Sequence, residues 1–201
     1  MKQVVVHPER CVGCMQCMVA CAVAHSKART LTGALFETPT PRARVHVGAG
    51  PYNEGFPNRC RHCDPAPCLA ACLPGAIYRS PATASVLIDT DKCINCASCA
   101  MACPFGVIRY HQSADSPPNK VVAVKCDNCV ARQAEGLIPA CVEVCKANAL
   151  TFEVSDAAMK RRTGEVSRSV WSSGPERPAV GSFGFNLLGA VKKAEQQLSE
   201  R

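Results

Sequence analysis

Sixteen cysteines carry the most obvious chemical potential of this chain: Cys11, Cys14, Cys17 and Cys21; Cys60, Cys63, Cys68 and Cys72; Cys93, Cys96, Cys99 and Cys103; Cys126, Cys129, Cys141 and Cys145. They form four groups of four with none left over, spaced C-x2-C-x2-C-x3-C, C-x2-C-x4-C-x3-C, C-x2-C-x2-C-x3-C and C-x2-C-x11-C-x3-C. The closing x3 step is common to all four. Thiols at this density form disulfides, bind zinc or hold iron-sulfur clusters, and spacing and context separate the three.

Disulfides suit secreted chains. The opening "MKQVVVHPERC" has no apolar h-region, no cleavage site and no twin arginine ahead of the first group, so a reducing cytoplasm is expected. Zinc favours two short cysteine pairs separated by a loop, because four sulfurs must reach tetrahedral positions from two directions. In "CINCASCAMACPFGVI" (93–108) three cysteines instead share one tight loop, and the fourth follows a helical turn later, pointing away. One object does not readily take all four. The bacterial run C-x2-C-x2-C-x3-C-P has this property, its fourth cysteine ligating the other cluster of a pair. "CVGCMQCMVAC" (11–21) repeats the spacing of "CINCASCAMAC" (93–103), closing Ala-Cys included. The recurrence favours clusters over zinc or disulfides.

Composition agrees. With six Phe, three Tyr and one Trp in 201 residues, the chain has few large side chains for a conventional core, so something besides hydrophobic burial must organise it. The formal charge of +7 counts every cysteine as neutral. Four oxidised [4Fe-4S] units with their thiolates carry two negative charges each, which brings the loaded chain to about −1. Basic residues then read as compensation for buried negative centres. A nucleic-acid role has only the raw charge behind it, with no binding motif. No stretch approaches the roughly 18 apolar residues of a membrane span, so a soluble chain is expected.

On these four groups, including the looser "CRHCDPAPCLAACLPGAI" (60–77) and the x11 gap in "CDNCVARQAEGLIPACVEVC" (126–145), the chain resembles the four-cluster ferredoxin-type electron-transfer subunits found beside molybdenum and tungsten oxidoreductases, nickel carbon monoxide dehydrogenases and formate-linked hydrogenases. The likeness covers about residues 4–153. It implies four [4Fe-4S] clusters, with the groups paired first with fourth and second with third. Carried over, one cluster is held by Cys11, Cys14, Cys17 and Cys145, and its neighbour by Cys126, Cys129, Cys141 and Cys21. The inner pair is Cys60, Cys63 and Cys68 with Cys103, and Cys93, Cys96 and Cys99 with Cys72. The chain departs from the ferredoxin pattern in one respect: only Cys103 is followed directly by proline, Pro104. Cys72 is followed by Leu73-Pro74, Cys21 by Ala22 and Cys145 by Lys146. That alters amide bonding near sulfur rather than cluster presence.

The intervening segments give the expected fold class, α+β. The β-rich runs "QVVV" (3–6), "ARVHV" (43–47), "SVLID" (85–89), "VVAVK" (121–125) and "ALTFEV" (149–154) flank the groups and fit small two-stranded sheets. The x3 steps begin short helices. Two interleaved ferredoxin-like modules follow: residues 55–112 form the inner one, and residues 1–25 join 120–154 in the outer one. Residues 26–54 read as a surface insertion. Beyond 154, "SDAAMKRRTG" predicts a short helix with Ser155 as N-cap and Gly164 as its stop. Residues 164–184, rich in Gly, Ser and Pro, read as an extended arm with Trp171 as a packing anchor. Leu187, Val191, Ala194 and Leu198 then make a narrow apolar stripe on a helix, for folding back or for docking or oligomerisation through 165–201. His62 is placed to hydrogen-bond a cluster sulfide, whereas His7, His25, His46 and His111 read as surface or locally satisfied residues.

No Ser-His-Asp set, phosphate-cradling glycine loop or G-x-G-x-x-G appears, so no place to bind substrate, flavin or nicotinamide is visible. The expectation is a non-catalytic electron-transfer subunit between a catalytic oxidoreductase subunit and an acceptor, such as a flavin- or NAD-linked subunit, with further copies of itself as a third partner. The resemblance points first to a tungsten aldehyde oxidoreductase and next to a nickel carbon monoxide dehydrogenase. The alternatives are a free polyferredoxin shuttle and a zinc-binding scaffold.

Overall fold

The computed structural model describes residues 2–50 and 55–171. Residues 2–155 fold as one unit, and the described residues 156–171 belong to a second. The described strands are β1 (Lys2–Val6), β2 (His46–Ala49), β3 (Gly55–Asn58), β4 (Ile77–Arg79), β5 (Val86–Ile88), β6 (Arg109–His111), β7 (Val122–Val124) and β8 (Leu150–Val154). The helices are α1 (Gln16–Ala24), α2 (Leu31–Phe36), α3 (Pro67–Ala70), α4 (Ser98–Ala102), α5 (Val130–Ala134), α6 (Ala140–Glu143) and α7 (Ser155–Trp171). The class is α+β, with every sheet two-stranded and antiparallel.

The β-branched runs form strands because a pleated, half-buried surface suits them. β1 pairs with β8 in the register Val4 to Phe152, tying the start of the unit to its end. β4 pairs with β5 (Ile77 to Ile88) and β6 with β7 (Tyr110 to Ala123). β2 pairs with β3 inside and just beyond the inserted segment. Of the expected runs, 43–47 is displaced: the strand starts at His46, because Arg44 is turned inward to ion pairs and Val45 into the core.

Interior side chains are small. One cluster gathers Ala76, Ile77, Val86, Ile108 and Val122 around Cys93 and Cys99, and a second gathers Val4, Val45 and Leu150 around Cys17, Cys21 and Cys141. Between them Val107 packs with Cys60 and Cys126. Phe36, Phe56, Phe105 and Tyr78 stay exposed, so the space that aromatic rings fill in other cores is given to sulfur.

The cysteine loops owe their shape to left-handed backbone. In each C-x2-C the residue just before the second cysteine has positive φ: Gly13 at 69°, His62 at 49°, Asn95 at 58° and Asn128 at 64°. Gly and Asn adopt this region at little cost. A second positive φ, at Met15 and Ala97, opens α1 and α4 after the second cysteine of their runs. These two reversals curl the chain so that successive sulfurs face one centre. Helices α1 and α6 pack together, as do α3 and α4, which brings the distant fourth cysteines to their neighbours' loops.

The second unit begins along α7. The helix does not stop at Gly164 but runs through it to Trp171. A mid-helix glycine costs only about 1 kcal/mol relative to alanine. Against it stands the Asp156–Lys160 pair at 3.0 Å, and the hydroxyls of Thr163 and Ser167 are satisfied within the helix, donating to carbonyls one turn back at 2.9 and 2.8 Å. Residues 164–171 are therefore helical where an extended arm is expected, and the rest of that arm and the apolar stripe of 187–198 lie outside the described residues.

A steric prediction follows from β3. A Cβ on Gly55 would lie 2.6 Å from Cys11 Sγ and 2.7 Å from the Gly13 amide, neither of which can yield. G55A should destabilise by about 1–3 kcal/mol, measured as a lower urea midpoint. G48A, with nothing within 4 Å of its Cβ, should stay within about 0.5 kcal/mol of the parent.

Candidate metal centres

All sixteen candidate cysteines fall into four spatial sets, and none is in a disulfide. One cavity is lined by Cys11, Cys14, Cys17 and Cys145. A second is lined by Cys60, Cys63, Cys68 and Cys103, and a third by Cys72, Cys93, Cys96 and Cys99. Cys126, Cys129, Cys141 and Cys21 make the fourth set: burial raises the Cys141 thiol, Cys126 adds to this, Arg59 opposes it, and Cys21 and Cys129 add again. Each set takes three sulfurs from one run and one from another. The sets also follow one another in space. The α3–α4 contact links the third to the second, Cys60 and Cys126 link the second to the fourth, and the α1–α6 contact links the fourth to the first. Cys96 in the third set and Cys14 in the first are exposed, at opposite ends of this series.

Thiols packed this way resist ionisation. Burial pushes Cys17 up to about 11, and the repulsion of Cys11, Cys14 and Cys145 adds to it. Cys129 is pushed up to about 12 by burial and then by Asp127. Four thiolates become stable together only around a cation, and four soft sulfur donors select zinc or iron-sulfur clusters.

Donors already surround the sulfurs. Backbone N–H groups of Arg44, His62, Ala123 and Asn128 reach Cys21, Cys60, Cys93 and Cys126 at 3.2, 3.4, 3.4 and 3.4 Å. The Tyr110 hydroxyl lies 3.2 Å from Cys99 Sγ. Two further donors are buried without any protein partner, Arg59 Nε and His62 Nε2. Since His62 Nδ1 accepts from the Val86 amide at 3.0 Å, its Nε2 carries the proton, and His62 lines the cavity of Cys60, Cys63, Cys68 and Cys103. An orphaned buried N–H costs free energy unless something accepts from it. Sulfide-bearing clusters bring acceptors that a bare zinc ion lacks, so the donor set fits [4Fe-4S].

Sequence reasoning missed one network. His25 donates from Nδ1 to the Cys21 carbonyl at 2.7 Å and from Nε2 to Asp127 at 3.1 Å, so both nitrogens carry protons. Burial works to lower its pKa, but Asp127 and Cys21 outweigh burial and raise it to about 10. Burial also tends to raise Asp127, but His25 and Arg44 hold it well below the usual carboxylate range. Arg44 bridges Asp127 at 3.2 Å and Asp115 at 2.7 Å. Cys21 shows the balance: burial raises its thiol, and His25 with the Arg44 amide more than reverses this. No spacing rule joins residues 25, 44, 115 and 127; only the fold does.

Four sulfur-lined sets on two-stranded sheets and short helices define a ferredoxin-type iron-sulfur protein. Comparison with known sequences agrees. The family of the 4Fe-4S dicluster domain matches residues 52–155, which hold the second, third and fourth cysteine groups, and the chain belongs to that family. An iron-sulfur protein of Rhodospirillum rubrum is 35% identical over 173 residues, 81% of this chain and 90% of the relative. The thiosulfate reductase electron transfer subunit PhsB of Salmonella typhi is 35% identical over 165 residues, 81% of each chain. UacF of Escherichia coli is 39% identical over 142 residues, 70% of this chain and 19% of its own length. The likeness to UacF is thus to one segment of a longer protein.

The ion network generates a prediction. Arg44→Met leaves Asp127 with the His25 ring and the Cys129 amide, at 2.9 Å, but no guanidinium in a largely enclosed site. It should cost about 2–4 kcal/mol, near the lower end of the range for breaking a buried pair because Asp127 keeps some solvent contact. Anaerobic urea denaturation of the loaded protein reads this directly, and Arg29→Met, at an exposed pair with Glu135, should change the midpoint by less than about 1 kcal/mol.

Proposed function

We propose that this chain is a non-catalytic electron-transfer subunit of an oxidoreductase complex, holding four [4Fe-4S] clusters on the four cysteine sets. The observation that carries the reading is the gathering of sixteen thiols into four sets, three of them lining cavities, with unpartnered N–H groups beside them. Such clusters, when bound, supply one-electron carriers whose potentials respond to hydrogen bonds, charge and solvent access. The chain sets each of these variables. Amides of Arg44, His62, Ala123 and Asn128 donate to sulfur, and small core residues pack against Cys60, Cys93, Cys99 and Cys126. The two end sets open to the surface at Cys14 and Cys96, next to the exposed side chains of Val12, Met15 and Ile94. Apolar surface around a solvent-facing ligand suits docking of a redox partner.

The partners follow the same reading. A catalytic oxidoreductase subunit sits at one end and an acceptor, such as a flavin- or NAD-linked subunit, at the other. Among the catalytic partners the resemblance offers, the first choice is a tungsten aldehyde oxidoreductase and the next a nickel carbon monoxide dehydrogenase, and the relative named for thiosulfate reductase adds a third class. Co-purification from the native host distinguishes them. Among the described residues no helix is long and apolar enough to cross a membrane, and the proposed setting is the cytoplasm.

Anaerobic iron analysis tests the core of the proposal. The loaded chain should be brown, bleach with dithionite and hold about four iron atoms per cysteine set; a colourless zinc protein would end the reading. Cys103→Ser should perturb the centre of Cys60, Cys63 and Cys68 and spare that of Cys93, Cys96 and Cys99, whereas Cys72→Ser should do the reverse, as read by the electron paramagnetic resonance of the reduced chain. We also propose that residues 165–201 join copies of the chain. Their deletion should lower the assembly size in light scattering while iron content stays unchanged.

A further inference from the structure

Two basic side chains reach into the interior, at the junction of the two middle cysteine sets. Arg59 is 1% exposed and Lys125 is 4% exposed. Arg59 donates from Nη1 to the Val4 carbonyl at 2.6 Å, and from Nη2 to Cys126 Sγ and Asn128 Oδ1, both at 3.4 Å. Lys125 Nζ donates to the carbonyl of Val86 and, at 3.3 Å, to that of Cys126. Among the described residues neither makes an ion pair with a carboxylate. An ammonium or guanidinium is not stable in such surroundings without an anion nearby.

Their positions show which anion each one meets. Arg59 immediately precedes Cys60, yet its guanidinium reaches Cys126 of the other set. Lys125 immediately precedes Cys126, yet it lines the cavity of Cys60, Cys63, Cys68 and Cys103. Burial raises the Cys60 and Cys68 thiols, and Lys125 is the strongest influence opposing it at both. The cations are therefore crossed in their strongest partners: Arg59 meets Cys126 and Cys141 ahead of its own neighbour Cys60, and Lys125 acts most on Cys60 and Cys68. The corresponding residues of the end sets differ. Arg10, before Cys11, is half exposed, and Lys92, before Cys93, is mostly exposed and paired with Asp89 at 3.2 Å.

We propose that Arg59 and Lys125 are crossed counter-ions of the two middle centres, each neutralising the cysteine set opposite its own sequence neighbour and raising that centre's reduction potential. The inference rests on the reading of the cysteine sets as cluster sites. A buried cation favours the state with one more electron, because the added negative charge falls where water cannot screen it. The crossing also couples the sites, since neither middle set has its counter-ion unless the other's loop is in place.

Redox titration of the full loaded chain, followed by electron paramagnetic resonance, tests this, with signals assigned from the Cys103→Ser and Cys21→Ser chains. Lys125→Met should lower the potential of the centre at Cys60, Cys63, Cys68 and Cys103, shifting its reduced-to-oxidised ratio at least tenfold, about 59 mV for one electron. Arg59→Met should do the same at Cys126, Cys129, Cys141 and Cys21. Lys92→Met should move neither middle centre. If Lys125→Met loses the iron of its centre, Lys125→Arg should retain it, which equally supports a charge requirement. Full loading with the middle potentials unmoved or raised overturns the proposal, as does equal loss of the centre in Lys125→Met and Lys125→Arg. A parent chain without iron would instead overturn the reading of the cysteine sets.

Discussion

Sulfur crowding is the constraint from which the rest of this structure follows. Four thiols brought into one enclosed space repel one another as soon as they ionise, and burial adds to the penalty, as the raised thiols of Cys17, Cys129 and Cys141 show. A chain that builds four such spaces within 155 residues gives up much of its ordinary core. Its buried apolar side chains are mostly Val, Ile, Ala and Cys, and Phe36, Phe56, Phe105 and Tyr78 are left at the surface. Its sheets shrink to pairs of three- to five-residue strands, too small to be stable alone. The loops between them hold the sulfurs, and stability comes to depend on what the sulfurs hold.

The same constraint explains the unusual polar interior. At His62 and Asn128, two of the left-handed residues that reverse the chain, the backbone amide itself turns toward sulfur. His25 and Arg44 converge on Asp127, linking α1, the segment before β2 and the fourth cysteine group. Arg59 is among the largest side chains that are fully buried, in a place where other small domains would put Phe or Leu. A net positive sequence charge is thus not a surface signature here; part of it is turned inward.

How much of this was legible beforehand depends on the range of the interaction. The cysteine groups were legible because their spacing is local, and so were the strands around Val4, Val86, Val122 and Leu150, where β-branched residues run together. β3, β4 and β6 were not: "GFPN", "IYR" and "RYH" are three or four residues long, and pairing to a partner strand, not propensity, makes them strands. Helix α2 was hidden in the inserted segment, though Thr30, which accepts from the Gly33 amide, is an ordinary N-cap signal. Gly164 misled because a glycine that ends a helix and one that merely weakens it look alike in sequence. The grouping of sulfurs across runs came from resemblance alone. The inward turn of His25, Arg59 and Lys125 had no signal, because basic residues beside a cysteine are surface-exposed in two groups of this chain and buried in the other two.

The antiparallel closure of β1 on β8 has a consequence for biosynthesis. The cavity that opens with Cys11 is completed by Cys145, and the set around Cys126 waits in turn for Cys141 while using Cys21, made more than a hundred residues earlier. A ribosome releasing this polypeptide from its N-terminus therefore exposes the first run of thiols long before their last companion emerges. On the proposed reading, neither of these two sets can be filled before Cys145 and Cys141 have emerged, and the nascent intermediate with its first thiols uncovered is the species most in need of protection from oxidation.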